Sequence, residues 1–130
     1  MADSLRKYDG FVPGAHEIEG LGAGGFRFAG MSHRGSLLVL PSGIRAWPVS
    51  SSAEVTFASL AAVLDEEPGS IELLLIGMGT EIRPIHPDLR NRLKAAGIGV
   101  DPMATTHAVS TFNILFSERR RVAAALLAVA

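Results

Sequence analysis

The chain contains no cysteine, and it is poor in aromatic and charged residues, which make up 6% and 19% of its 130 positions. Without cysteine, disulfides, thiol catalysis and cysteine-bound zinc are excluded, and a reducing compartment is allowed. The formal net charge is −1, and the only basic run is three arginines at residues 119–121. This gives no basic face, so we expect no nucleic acid among the partners.

Long hydrophobic runs are also missing. The longest apolar stretch, residues 122–130, falls short of the roughly 20 residues that cross a bilayer as a helix. No signal peptide is recognisable near the start. We therefore expect no transmembrane segment and a cytoplasmic location. Apolar residues are plentiful at 48%, which predicts one domain over residues 1–130, with any disorder confined to about residues 1–8.

The first half of the chain has the pattern of antiparallel strands. Residues 24–30 alternate large apolar and other side chains between glycines, and residues 36–40 form a short apolar run. After a Pro-Ser-Gly turn, residues 44–49 predict a third strand. Pro48 cannot donate to a ladder, so that strand should end there or lie at an edge. Residues 31–35 are predicted to be a loop.

A helix is predicted next. Ser51 and Glu54 have the spacing of a capping box, in which each side chain bonds the other residue's free backbone N–H. Phe57, Leu60 and Leu64 then fall on one helical face. We expect that face to be buried against the sheet.

The second half alternates strand and helix. Residues 71–76 predict a buried strand, a helix starts near Pro87 and ends before Gly97, and residues 98–100 are strand-like. Thr105 or Thr106 is placed to cap a last long helix. Strand, helix and strand in this order predict a parallel crossover, so the fold class is α/β with a mixed sheet. The alanine-rich residues 121–127 favour helix by propensity.

No catalytic constellation is recognisable. The four histidines (His16, His33, His86 and His107) lack the spacing of a helical zinc motif, although a metal site assembled from distant residues stays open. Ser36 follows a glycine but lacks the second glycine of a nucleophile elbow. The glycine-rich residues 20–25 precede a strand instead of following one, which indicates a turn and not a dinucleotide site. The sequence therefore predicts no catalytic residue, cofactor or metal ligand, and a non-enzymatic role is favoured while an enzymatic one stays open.

One region is placed where α/β sheets bind ligands. Residues 77–80 follow one predicted parallel strand, and residues 101–106 follow the next and open a helix whose free N–H groups can hold a small anion. The candidate ligand-binding residues are Gly77, Gly79, Thr80, Arg83, Thr105, Thr106 and Asn113. The alternative is a tight glycine turn beside an ordinary threonine cap. Asn113 also lies on a polar helical stripe that would face water.

An ordered set of short segments resembles a known family. It comprises residues 25–28, residues 35–43 with Trp47, residues 72–79, residues 97–100, residues 111–115, Glu118, Arg120 and residues 122–126. Together they resemble domain-of-unknown-function family four hundred and ninety-eight, to which a mitochondrial assembly factor of respiratory complex I is similar. Two positions depart from the family's pattern: Arg119, where members often carry glycine, and Phe112, where they often carry tyrosine.

The resemblance implies a three-layer fold, with a mixed central sheet, flanking helices and a smaller antiparallel β part. It also implies that residues 121–126 form a strand, against their helix propensity. For function, it implies a non-enzymatic protein-binding or assembly module whose partners are other proteins, respiratory complex subunits among them. The alternative is a small-molecule or anion-binding protein, or an enzyme, that uses the crevice at the carboxyl ends of the parallel strands.

Overall fold

The architecture is a six-stranded mixed sheet with a separate three-stranded antiparallel sheet beside it. The computed structural model describes residues 11–130, so the disorder predicted for residues 1–8 lies outside the described residues. The large sheet has the order β1-β6-β5-β9-β7-β8 and the small one β2-β3-β4. The strands are β1 (Phe11–Pro13), β2 (Gly20–Gly22), β3 (Gly25–Phe28), β4 (Met31–Arg34), β5 (Ser36–Leu40), β6 (Gly43–Trp47), β7 (Leu73–Gly77), β8 (Gly99–Met103) and β9 (Val122–Leu126).

In the described part of the chain, three α-helices flank the large sheet: α1 (Ala61–Leu64), α2 (Pro87–Ala95) and α3 (Thr105–Ser117). Pro87 occupies the first turn of α2, as predicted, and Gly97 follows the C-terminal cap in the left-handed region at φ +83°. Arg119 follows the cap of α3 with φ +62°, a conformation that glycine adopts more easily. Among the described residues, no helix combines the length and the apolar character needed to cross a membrane.

Alternating side chains of the large sheet build two cores, one on each face. Leu38, Leu74 and Ile76 join the core that contains α2 residues and Trp47, whereas Leu37 and Leu75 join the core that contains α3 and the small sheet. The period of two along each strand produces this division. The structure thus confirms the α/β class and the three layers: α1 and α2, then the large sheet, then α3 with the small sheet.

The end of the chain forms the central strand β9. It pairs antiparallel with β5 and parallel with β7, which confirms the strand implied by the family resemblance over the helix favoured by propensity. Ala123, Ala124 and Ala125 are fully buried. Because a strand at the centre of a three-layer fold is covered on both faces, small apolar side chains suit it and tertiary context overrides propensity.

Two local predictions were wrong. Residues 31–34 form strand β4 and not a loop, paired antiparallel with β3. The strand was hidden in the sequence because a histidine, His33, takes the buried position where an apolar residue was expected. Strand β8 extends to Met103, so Asp101 and Pro102 lie within it and not past its end. Proline is tolerated there because β8 is an edge strand.

The helix predicted after Ser51 is broken into pieces. The capping box is confirmed, with the Ser51 N–H donating to Glu54 Oε1 at 3.1 Å, but it opens only a 3-10 turn, Ser52–Glu54. A second 3-10 turn, Ala58–Leu60, leads into α1. Leu60 is fully buried as predicted, while Phe57 and Leu64 pack partly buried against the same core.

Candidate functional site

The predicted crevice lies where the end of β7 meets the start of α3. Gly77 closes β7, and a β-carbon built on it would lie 2.9 Å from both Cα and Oγ1 of Thr105. Real β-carbons do not approach other atoms so closely, so glycine is required there for α3 to pack against the strand. Gly77 and Thr105 therefore pack directly against each other, with no space for a ligand between them.

Thr105 links three backbone segments through its side chain. Its Oγ1 accepts a hydrogen bond from the Gly79 N–H at 2.9 Å and donates one to the Leu127 carbonyl at 2.8 Å. Its own N–H donates to the Gly79 carbonyl at 2.8 Å. The prediction that Thr105 or Thr106 caps α3 was wrong, because Ala104 is the N-cap residue and no side chain caps it. The Thr105 hydroxyl serves the tertiary contact instead.

The remaining loop residues line an open groove beside this contact. The groove has a volume of about 300 Å³, and Gly79, Thr80 and Arg83 line it together with the three serines at residues 50–52 and the last residues of the chain. Arg83 is exposed and forms an ion pair with Glu81 at 3.5 Å. Thr106 is exposed on α3 and does not line this groove.

The structure places Asn113 away from the groove. It lies eight positions after Thr105 on α3, which corresponds to about 12 Å along a helix axis. Its Oδ1 accepts from the Ile18 N–H at 2.9 Å, and its Nδ2 donates to the Ile18 carbonyl at 2.8 Å. Both polar groups of one backbone residue are satisfied by one side chain, so Asn113 fastens the segment before β2 onto α3.

His33 is the buried titratable group of the small sheet. Its Nε2 donates to the Ser36 carbonyl at 3.1 Å. Burial lowers the pKa of His33 from its ordinary value of 6.5, and the hydrogen bond to Ser36 partly opposes that change. Ser36 itself accepts a hydrogen bond from the Ala128 N–H at 3.0 Å, so both residues hold the junction between the small sheet and β5.

A larger groove, which the sequence analysis missed, is lined by residues of the small sheet. Its volume is about 680 Å³. Gly20, Gly22, Arg27, Ser32 and Arg34 are among the residues that line it. Recognising β4 would have revealed it, because a period of two places Arg27, Ser32 and Arg34 on one face of paired strands, opposite Phe26 and His33. In residues 11–130, no three histidine, aspartate or glutamate side chains cluster as metal ligands would.

Residues 18–127 match the family described as protein of unknown function (DUF498/DUF598). The chain belongs to this family. An uncharacterized protein of Rhodobacter capsulatus is 42% identical over 114 residues, which cover 88% of this chain and 86% of that protein. The NADH dehydrogenase [ubiquinone] 1 alpha subcomplex assembly factor 3 of Danio rerio is 38% identical over 103 residues, which cover 79% of this chain and 59% of that protein.

Solved structures share the fold. An outer membrane protein from Bartonella henselae has a TM-score of 0.86 at 45% identity, covering 91% of this chain and 98% of that one. A Bordetella pertussis protein, a Mth938-like domain, has a TM-score of 0.77 at 30% identity, covering 86% and 85%. This chain therefore shares its α/β architecture with both proteins. The chain spans only about three fifths of the length of the Danio rerio, Xenopus tropicalis and Mus musculus assembly factors.

Proposed function

We propose that this chain is a non-enzymatic protein-binding module that assists the assembly of a respiratory NADH dehydrogenase. The observation that carries the proposal is the similarity to the assembly factor, which extends over 79% of this chain in the Danio rerio protein. Relatives of the same name in Xenopus tropicalis and Mus musculus are 34% and 31% identical. The family match, residues 18–127, runs from the small sheet to β9, so we assign the binding role to this part of the chain.

The placement of the polar residues supports a binding role over a catalytic one. Three of the chemically suggestive side chains serve the fold: Thr105 joins the Gly79 peptide to Leu127, Asn113 holds Ile18, and His33 bonds Ser36. These hydrogen bonds are all made to the backbone of this chain. An enzyme needs at least one such group directed at a substrate.

The test is affinity purification from the source organism. Cells producing a tagged chain at its native level would be treated with a short cross-linker before lysis, and the recovered proteins quantified by mass spectrometry. The proposal predicts enrichment of NADH dehydrogenase subunits over an untagged strain. Recovery of the tagged chain without any such subunit above that background would refute the proposal.

A second candidate is the predicted small-anion site, favoured by the groove that Gly79, Thr80 and Arg83 line with residues 50–52. Phosphate or a carboxylate metabolite should then raise the melting temperature, since binding to the native state alone adds RT ln(1 + [L]/Kd). Gly79 has φ +98°, so replacing it would strain the backbone whether or not a ligand binds. Arg83→Ala is the informative variant: it should abolish the anion-dependent shift and leave the ligand-free melting temperature unchanged.

A further inference from the structure

Within residues 11–130, the outer face of the small sheet is exposed and carries positive charge. Strands β2, β3 and β4 direct Leu21, Phe26 and Phe28 into the core beneath. The opposite face holds Arg27, Ser32 and Arg34, all exposed. These three residues line the groove of about 680 Å³ described above, to which Leu21, Phe26 and His33 also contribute.

The two arginines have no carboxylate partner among residues 11–130. The Arg27 guanidinium makes only a long hydrogen bond of 3.5 Å to Ser32 Oγ, and the Arg34 guanidinium forms no hydrogen bond or ion pair with the described residues. The nearby Glu19 turns away and accepts from the Gly30 N–H at the β3–β4 turn. Both guanidinium groups are therefore available for carboxylates of another molecule. A guanidinium binds a carboxylate through bidentate hydrogen bonds.

Gly20 places no side chain on the outer face, although its backbone conformation and surroundings would accept one. Its backbone is outside the left-handed region, and a β-carbon there would meet nothing closer than Arg27 Cδ at 4.0 Å. By contrast, Gly25 is required internally, because its β-carbon would lie 2.0 Å from the His33 carbonyl oxygen. A strand position that accepts any side chain yet carries none leaves room for an approaching backbone.

The spacing of the arginines indicates the shape of the occupant. Arg27 pairs with Ser32 and Gly25 pairs with Arg34, so the two arginines are diagonal neighbours on adjacent strands, about 7–8 Å apart. Side chains two residues apart in an extended peptide point to the same side and are separated by about 6.8 Å. An extended segment with carboxylates at alternate positions therefore matches both arginines at once.

We propose that the outer face of the small sheet docks an extended acidic segment of a partner protein, with carboxylates at alternate positions bound by Arg27 and Arg34 and the segment's backbone lying over Gly20. The proposal deepens the assembly role and rests on it for the identity of the partner. The positive charge of Arg27 and Arg34 favours an acidic peptide over an apolar one. The missing side chain at Gly20 leaves room for the peptide backbone.

The test is an NMR titration of the isotope-labelled chain with synthetic octapeptides. An alternating Glu-Ser peptide should shift the amide signals of residues 20–34 in a saturable way, and the shifts should weaken with added salt. A peptide of the same composition with its glutamates in one block should bind more weakly, and a Lys-Ser peptide should not bind. Absence of shifts at millimolar alternating peptide, or equal shifts with duplex DNA, would overturn the proposal.

Three variants separate docking from folding. Arg27→Ala/Arg34→Ala should weaken peptide binding roughly tenfold or more, because charge-assisted hydrogen bonds are lost. Gly20→Val should weaken peptide binding because the added side chain fills the groove. The NMR spectrum of this variant should remain that of a folded protein. Lys94→Ala/Arg119→Gly removes two exposed positive charges elsewhere and should bind like the wild type. Equal weakening in that control would mean that only net charge matters, and would overturn the assignment.

The docking surface and the assembly role can fail separately. If affinity purification recovers NADH dehydrogenase subunits with the wild type and equally with Arg27→Ala/Arg34→Ala, the assembly role stands and this surface is wrong. If no such subunit is recovered but the titration maps the alternating peptide to residues 20–34, the surface stands and the assembly role is wrong.

Discussion

The Thr105 hydroxyl donates to the Leu127 carbonyl at 2.8 Å, which ties the first turn of α3 to the residue that follows the central strand. The same oxygen accepts from the Gly79 N–H, so one buried side chain holds the loop after β7, the start of α3 and the end of β9 together. The hydrogen bonds of Thr105, which the sequence suggested as part of a ligand site, therefore hold the fold together.

Thr105→Val should lower the free energy of unfolding by about 2–4 kcal/mol, because it leaves the Gly79 N–H and the Leu127 carbonyl without their buried partner. Urea unfolding followed by circular dichroism measures the loss. Thr106→Val is the matched control, since Thr106 is exposed on the same helix turn, and it should change stability by less than about 0.5 kcal/mol. Equal losses in the two variants would argue against the role of the hydroxyl.

Leu60→Ala should cost about 2–5 kcal/mol, the range for truncating a fully buried leucine. Leu60 is 0% exposed, whereas the control residue Ile82 is 66% exposed. Ile82→Ala should cost less than about 0.5 kcal/mol. Thermal or urea unfolding of both variants decides the point, and a small loss for Leu60 would place the segment before α1 outside the core.

Asn113→Ala should release the Ile18 amide to solvent exchange, since its acceptor Oδ1 is removed. Asn113→Asp keeps an acceptor for that N–H but loses the donor to the Ile18 carbonyl, so protection of Ile18 should be intermediate. Amide hydrogen exchange measured by NMR gives both results. Ser110→Ala, an exposed change on α3, should leave Ile18 protected; full protection in Asn113→Ala would contradict the contact.

Stability should depend on pH through His33. Burial lowers the pKa of His33 below 6.5 in the folded chain, whereas the unfolded chain keeps the ordinary value. At a pH between the folded-state pKa and the unfolded-state pKa, the unfolded chain therefore binds the proton more readily. The free energy of unfolding should therefore be highest above pH 6.5 and fall as the pH drops through the folded-state pKa. His33→Asn should flatten that part of the pH profile measured by urea unfolding, and an unchanged slope would assign it to other groups.

Local sequence patterns predicted the strands and helices in which apolar residues recur regularly. They missed an element in which a polar residue occupies a core position. Strands β5 and β7 and helix α2 followed from apolar runs, Pro87 and Gly97. Strand β4 was missed because His33 occupies its buried position. The central position of β9 depends on long-range pairing with β5 and β7, which helix or strand propensity does not encode. The family resemblance implied that these residues form a strand.

The candidate site was predictable only in part. Topology places the end of β7 beside the start of α3, and the sequence analysis used that to bring Gly77 and Thr105 together. It did not foresee that the Thr105 side chain would bond Leu127, because the pairing of β9 with β7 sets that distance. The outer face of the small sheet was not predicted, because the sequence pattern indicates a loop at residues 31–35 where the structure has β4.

Deleting the gene in the source organism tests the assembly role most directly. Assembled NADH dehydrogenase would be quantified on native gels with in-gel activity staining, in the deletion strain and in strains complemented with the wild type or with Arg27→Ala/Arg34→Ala. The account predicts a marked loss of assembled enzyme in the deletion strain, recovery with the wild type and poor recovery with the double variant. An unchanged amount of assembled enzyme in the deletion strain would contradict the account.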